Sequence, residues 1–162
     1  MRRVVIRLAQ RFDAAGISGL CRSVQELHVR HHPQVFKPFA DAGVVEAFFE
    51  KELGDPDNHF FVARAGREPI GYLWARVELL PEDPLLQGLL RVYVHHLGVR
   101  EDWRRRGIGG RLLARALRLS RLQGAQQVVL DAWAFNREAR RFFKDHGFET
   151  CALKMWRRSR SP

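Results

Sequence analysis

The sequence predicts a mixed α/β fold, a sheet covered by helices, and three observations carry that prediction. The chain has 162 residues, of which 46% are hydrophobic and 28% charged, and their intermixing is that of a folded globular protein. Apolar positions alternate in some stretches and recur at helical spacing in others. Turn and cap residues divide them in the order strand, two helices, three strands, helix, strand, helix, strand. The length suits one domain, expected over residues 1–157, with a disordered basic tail at 158–162.

The opening "VVIRL" alternates as a first strand does. Asp13 can cap a helix that runs through "SGLCRSVQELHVR", Pro33 interrupts the pattern, and "VVEAFFEKEL" is a second helix. After the turn cluster "GDPDN", the runs "HFFVARA" and "PIGYLWARVELL" flank Gly66 as an antiparallel hairpin. The run "LLRVYVHHLGV" is a strand that feeds "EDWRRRGIGG" and then a helix ended by Gly124. A short strand in "QQVVLDAWAF" follows, then the helix "NREARRFFKDHG" with Asn136 as cap and Gly147 at its stop, and "FETCALKMWRR" as a last strand.

Lys and Arg outnumber Asp and Glu by 28 to 18, so polyanions, phosphorylated cofactors and acidic partners are all electrostatically plausible. The two cysteines, Cys21 and Cys151, have neither metal-ligand spacing nor disulfide density, which points to reduced thiols in a cytoplasm and to no metal. No uninterrupted apolar run is long enough to cross a bilayer, so no membrane partner is expected.

The densest chemistry lies at 104–110. The first amides of a helix lack internal partners and carry partial positive charge, so an anion is favoured there. Gly107, Gly109 and Gly110 let a phosphate approach the main chain around Ile108. Arg104, Arg105 and Arg106 add guanidinium forks for its oxygens. The stretch lacks the Lys-Ser/Thr ending of a nucleoside-triphosphate loop and the G-x-G-x-x-G spacing of a dinucleotide fold.

The pattern R-x-x-G-x-G from Arg104 to Gly109, together with "NREARRFFKDHGF" downstream and "HHLGV" upstream, resembles the GNAT superfamily of N-acetyltransferases, in a bacterial-type form. The resemblance spans Leu90 to Phe148. It implies a central mixed, mostly antiparallel sheet of six to seven strands, splayed between strands four and five, and acetyl-CoA as acetyl donor. It further implies that the loop grips the pyrophosphate, that Leu97, Gly98 and Val99 supply the strand edge along which pantetheine lies, and that Asn136 reaches the cofactor. Arg140, on the same helix face, could approach phosphate. A glycine inside a strand also fits a bulge, expected at Gly98, that aims an N–H at the thioester carbonyl. The resemblance also implies that Phe143 lies beside the cofactor, at the position where many members carry a tyrosine that can protonate the departing thiolate, and phenylalanine donates no proton.

An attacking amine must be neutral, so a group must accept a proton directly or through water. Paired histidines of arylalkylamine-type members match Tyr93 and His95, the candidate catalytic residues. Strand alternation predicts that both share a face with Leu97 and Val99, and that His96 faces away. Glu78, Glu82 and Asp83 could attract a cationic amine, while Phe36, Phe39 and Trp74 could line an entrance. The expected reaction is direct transfer from acetyl-CoA to a primary amine of a small molecule or protein, since neither cysteine falls in the matched motifs. Many relatives pair, so a homodimer is a further expectation. The rival readings are a non-catalytic acetyl-CoA sensor and a nucleic-acid-binding module built on Arg111, Arg115, Arg118 and Arg121. The second is disfavoured because no nucleic-acid motif is present.

Overall fold

The computed structural model describes residues 3–157, so the expectation for the tail at 158–162 falls outside the described residues. The chain divides into two compact units, Met1–Asp131 and Ala132–Pro162.

The first unit carries β1 (Val4–Leu8), a 3-10 turn at Arg11–Asp13, α1 (Ala14–His31), α2 (Ala42–Leu53), β2 (Asn58–Ala65), β3 (Glu68–Leu80), β4 (Leu89–Val99), a second 3-10 turn at Glu101–Trp103, α3 (Ile108–Gln123) and β5 (Gln127–Leu130). The strands form one sheet in sequence order, with β1 to β4 antiparallel and β5 parallel to β4. The parallel step follows from α3, because two parallel neighbours need a crossover longer than a hairpin turn.

Both faces of β3 are covered, which explains its unbroken buried run from Ile70 to Ala75. On one face Tyr72, Trp74 and Phe60 pack with Phe49 of α2 and Ile17 of α1. On the other, Gly71 lies under Leu112 of α3. Burial of this kind contributes roughly 1.5–3 kcal/mol for each large side chain.

Helix boundaries follow local chemistry. Gly107 and Gly124 bracket α3, both left-handed at φ 74° and 66°, and Asp41 caps α2 by accepting from the Gly43 amide at 2.8 Å. Asp13 departs from expectation. It sits at the α1 cap position but makes no cap hydrogen bond. Its carboxylate, 2% exposed, instead accepts from Arg7 at 2.7 Å and Arg64 at 2.9 Å. A buried carboxylate is better compensated by two guanidinium groups than by one amide.

The second unit carries α4 (Arg137–Asp145). The expected last strand in "FETCALKMWRR" is not formed, and residues 149–157 have no regular structure. The sheet therefore has five strands among the described residues and not six to seven. Strand propensity is realised only where a neighbouring strand takes the backbone hydrogen bonds. Pairing of β4 with β5 covers Arg91–Val94 against Gln127–Leu130, and His95–Val99 run on without a β5 partner.

Candidate functional site

The site is governed by one irregularity in β4. Trp74 pairs with His96, but the next residue, Ala75, pairs with Val94, so His95 is an extra residue with no counterpart on β3. This is a β-bulge, and it reverses the alternation of side chains beyond it. The expected bulge at Gly98 is not found, because Gly98 is in register opposite Tyr72. A Cβ at that position would lie 2.8 Å from Tyr72 Cε1, so the glycine makes room for that ring.

The expected grouping of side chains is corrected as well. His96 and Gly98 share the face of Trp74 and Tyr72, whose register partners they are, and Tyr93 joins them opposite Arg76. Leu97 pairs with Leu73, and the Val99 side chain reaches Gly71 beside Leu112, so both belong to the α3 side. His96 does not face away. Its Nδ1 lies 3.0 Å from the Tyr72 hydroxyl and 4.0 Å from Cys21 Sγ. Burial, aided by the neighbouring His95 and His28, pushes its pKa down to about 4. Burial likewise raises the Cys21 thiol and the Tyr72 hydroxyl above their ordinary values.

His95 stacks on Trp74, with ring centroids 4.5 Å apart, and meets Tyr93 edge-on at 4.6 Å. The imidazole stays open to solvent on its outer side. Desolvation between the two rings lowers its pKa below the ordinary value, and Arg76 acts in the same direction against the carboxylates of Glu78, Glu52 and Asp131. A neutral imidazole at pH 7 can accept a proton. Tyr93 donates its hydroxyl proton to Asp131 Oδ2 at 2.7 Å. Burial first, and then this bond and the Asp131 charge, push its pKa well above the ordinary tyrosine range.

At the end of β4, Arg104 Nε donates to Val99 O at 3.1 Å and ties the loop to the strand. Arg105 takes φ 57°, a left-handed conformation that a residue with a Cβ adopts at a cost. Gly107 follows at φ 74° with open space where a Cβ would stand. The α3 N-terminus has no side-chain cap at Gly107, so the first-turn amides of Ile108, Gly109 and Gly110 are offered to whatever approaches. The Ile108 side chain is core, 2% exposed. Loop strain and uncapped amides together fit a diphosphate.

The three arginines diverge. Arg106 stacks on Trp103 at 5.0 Å, in a hollow of about 480 Å³ whose walls include Val4, Glu68, Arg100 and Arg111. Glu78 pairs with Arg91 at 2.8 Å, and Asp83 accepts from the Leu85 and Leu86 amides within its own loop. Trp74 is 8% exposed and belongs to the core.

In the second unit, Asn136 caps α4 by accepting from the Ala139 amide at 3.0 Å. Arg140 Nη1 donates to Ala134 O at 3.3 Å, and Phe143 packs on Phe142 and Phe148. Sequence reasoning missed Asp131, Tyr72 and Cys21 as neighbours of the candidate residues. Asp131 carried one usable signal, a carboxylate directly after the apolar run "VVL".

A model of the acetyltransferase (GNAT) family matches residues 22–148. An uncharacterized N-acetyltransferase of Bacillus subtilis (strain 168), YhfO, is 28% identical over 145 residues, 89% of each chain. The N-alpha-acetyltransferase RimI of Mycobacterium tuberculosis is 32% identical over 67% of this chain and 63% of its own length. Among solved structures, the tetramutant BH1408 protein from Bacillus halodurans superposes with a TM-score of 0.89 at 23% identity, covering 96% of this chain and 99% of that one. The aminoglycoside N-acetyltransferase AAC(6')-Iy in complex with CoA gives 0.77 at 19% identity, over 98% and 96%. At these identities the two structures establish a shared fold.

Proposed function

The chain belongs to the acetyltransferase (GNAT) family, and from that premise we infer how its residues serve acetyl-CoA-dependent transfer to a primary amine. The observation that carries the reading is the continuity of β4. Its edge loses β5 after Val94 and leads, through the turn at Glu101–Trp103, to a left-handed glycine at an uncapped helix start. A long ligand with an anionic middle is matched by that combination of open edge and bare amides.

The amides of Ile108, Gly109 and Gly110, with Arg104 and Arg105, are assigned to the diphosphate. The edge at Leu97, Gly98 and Val99 is assigned to the pantetheine arm. Acetyl-CoA supplies a thioester whose acyl group is already activated. His95 accepts the proton that the amine must lose, and its lowered pKa keeps it neutral to do so. Tyr93 is a poor proton donor to a departing thiolate, since its proton is held by Asp131. Water or the protonated His95 then fills the role left open by Phe143.

The acceptor is a primary amine. The names of two relatives, an N-alpha-acetyltransferase and an aminoglycoside N-acetyltransferase, make peptide α-amines and aminoglycosides the first two classes to try. A cytoplasmic site of action and a homodimeric state belong to the same proposal, and light scattering tests the second. Thiol release from acetyl-CoA across an amine panel tests the whole. His95→Gln is expected to lower kcat at least about a hundredfold while calorimetry shows acetyl-CoA binding unchanged. Full activity in that variant would remove the base assignment.

A further inference from the structure

Tyr93 is held unusually firmly for a residue at the open end of a sheet. Its ring is met edge-on by His95 at 4.6 Å and lies under the Arg91 guanidinium at 5.5 Å. Arg91 is itself pinned to Glu78 of β3 at 2.8 Å. The remaining freedom is rotation of the hydroxyl about its C–O bond. Asp131 is the first residue after β5, and Tyr93 pairs with Val129 two positions before it. Its carboxylate therefore reaches the hydroxyl at the level where β4 and β5 part, with Oη to Oδ2 at 2.7 Å.

We propose that Asp131 is a positioning residue for acetyl transfer, fixing the Tyr93 hydroxyl proton so that the Tyr93 oxygen serves as a hydrogen-bond acceptor for the incoming amine. The inference rests on the assignment of His95 to the reaction made above. A tyrosine hydroxyl has one proton and two lone pairs. With the proton committed to a carboxylate, only acceptor capacity remains for a third group. An amine, which brings N–H donors, satisfies that capacity, whereas an acceptor with no hydrogen to donate does not. Asp131 thus acts through Tyr93: it leaves the Tyr93 oxygen to accept an N–H of the amine and orients that amine beside the His95 imidazole. The same bond prevents Tyr93 from replacing the proton donor that Phe143 lacks. Asp131 is exposed and follows the end of β5, so its removal leaves the core intact.

The test has two readouts. The protein contains two tyrosines, so a chain labelled at tyrosine Cζ gives two carbon resonances, and Tyr93→Phe assigns them. The charged and titratable groups around Tyr93 are Asp131, Glu78, Arg91 and His95. In Asp131→Asn the Tyr93 titration is expected to fall by about one pH unit or more, and Asp131→Glu to restore part of the shift. A titration that does not move overturns the proposal.

The second readout is thiol release with the most active amine from a panel of a polyamine, an aminoglycoside and a peptide with a free α-amine. Asp131→Asn is expected to lower kcat/KM for the amine about tenfold, chiefly through KM, with acetyl-CoA binding unchanged. In a Tyr93→Phe background the same substitution is expected to add no further loss. An equal loss in both backgrounds shows Asp131 acting independently of Tyr93 and overturns the proposal. Activity with an unmoved Tyr93 titration sinks this inference alone. A wild-type protein silent toward every amine sinks the transfer assignment, and the role of Asp131 with it.

Discussion

At Gly98 a single methyl group separates a regular strand from a clash. A Cβ there meets Tyr72 Cε1 at 2.8 Å and Val24 Cγ2 at 3.4 Å. Tyr72 is fully buried, with Phe49 packed edge-on at 6.2 Å, so the ring has no room to retreat. Gly98→Ala is therefore expected to destabilise by about 2 kcal/mol and to lower the melting temperature by roughly 6 °C, as read by calorimetric or circular-dichroism melts. An unchanged melt would show that the ring yields. The residue scale also shows how far a glycine in a pattern can be read. "HHLGV" correctly announces a special position, yet whether the glycine serves a ligand, a bulge or a neighbouring ring depends on Tyr72, 26 positions earlier.

At the scale of the elements, the bulge in β4 is the decisive feature, since it turns His96 from the expected outer side into the layer between the sheet and α1. There the imidazole shares its Nδ1 surroundings with Tyr72 and Cys21 and titrates near 4, against about 6.5 in an unfolded chain. Between those values the unfolded chain takes up a proton that the native imidazole refuses. Stability consequently falls as the pH drops from 6.5 towards 4, and this contribution is fully present above that window. At pH 5 the loss is about 2 kcal/mol relative to pH 7, with His95 adding in the same direction. Urea midpoints at the two pH values measure it, and His96→Gln should remove most of the difference. A midpoint drop of the same size in that variant would assign the effect elsewhere. The register slip behind this behaviour leaves no mark in β4 itself, because "VYVHHLGV" reads as uninterrupted strand. A bulge is a mismatch between two strands and belongs to neither alone.

For the whole molecule, charge and connectivity decide what the site can do. A net charge of +10 and arginines next to the α3 start predict that acetyl-CoA binding weakens about fivefold as ionic strength rises from about 0.05 M to about 0.5 M. Calorimetry across that range checks this, and a salt-independent affinity would move the phosphate contacts away from the loop. The chain order alone determined most of the architecture: the first five strands and the four helices, the glycines that bracket α3, and the Asn136 cap. Those features arise from propensities and hydrogen bonds between residues a few positions apart, which composition and spacing encode directly. Only the tertiary structure decided that Asp13 serves two arginines, that His96 lies inside, that Gly98 makes room for Tyr72, and that the Tyr93 hydroxyl donates its hydrogen bond to Asp131. Each of these depends on a partner far along the chain, and that partner's distance and orientation are set by packing, which no local pattern contains.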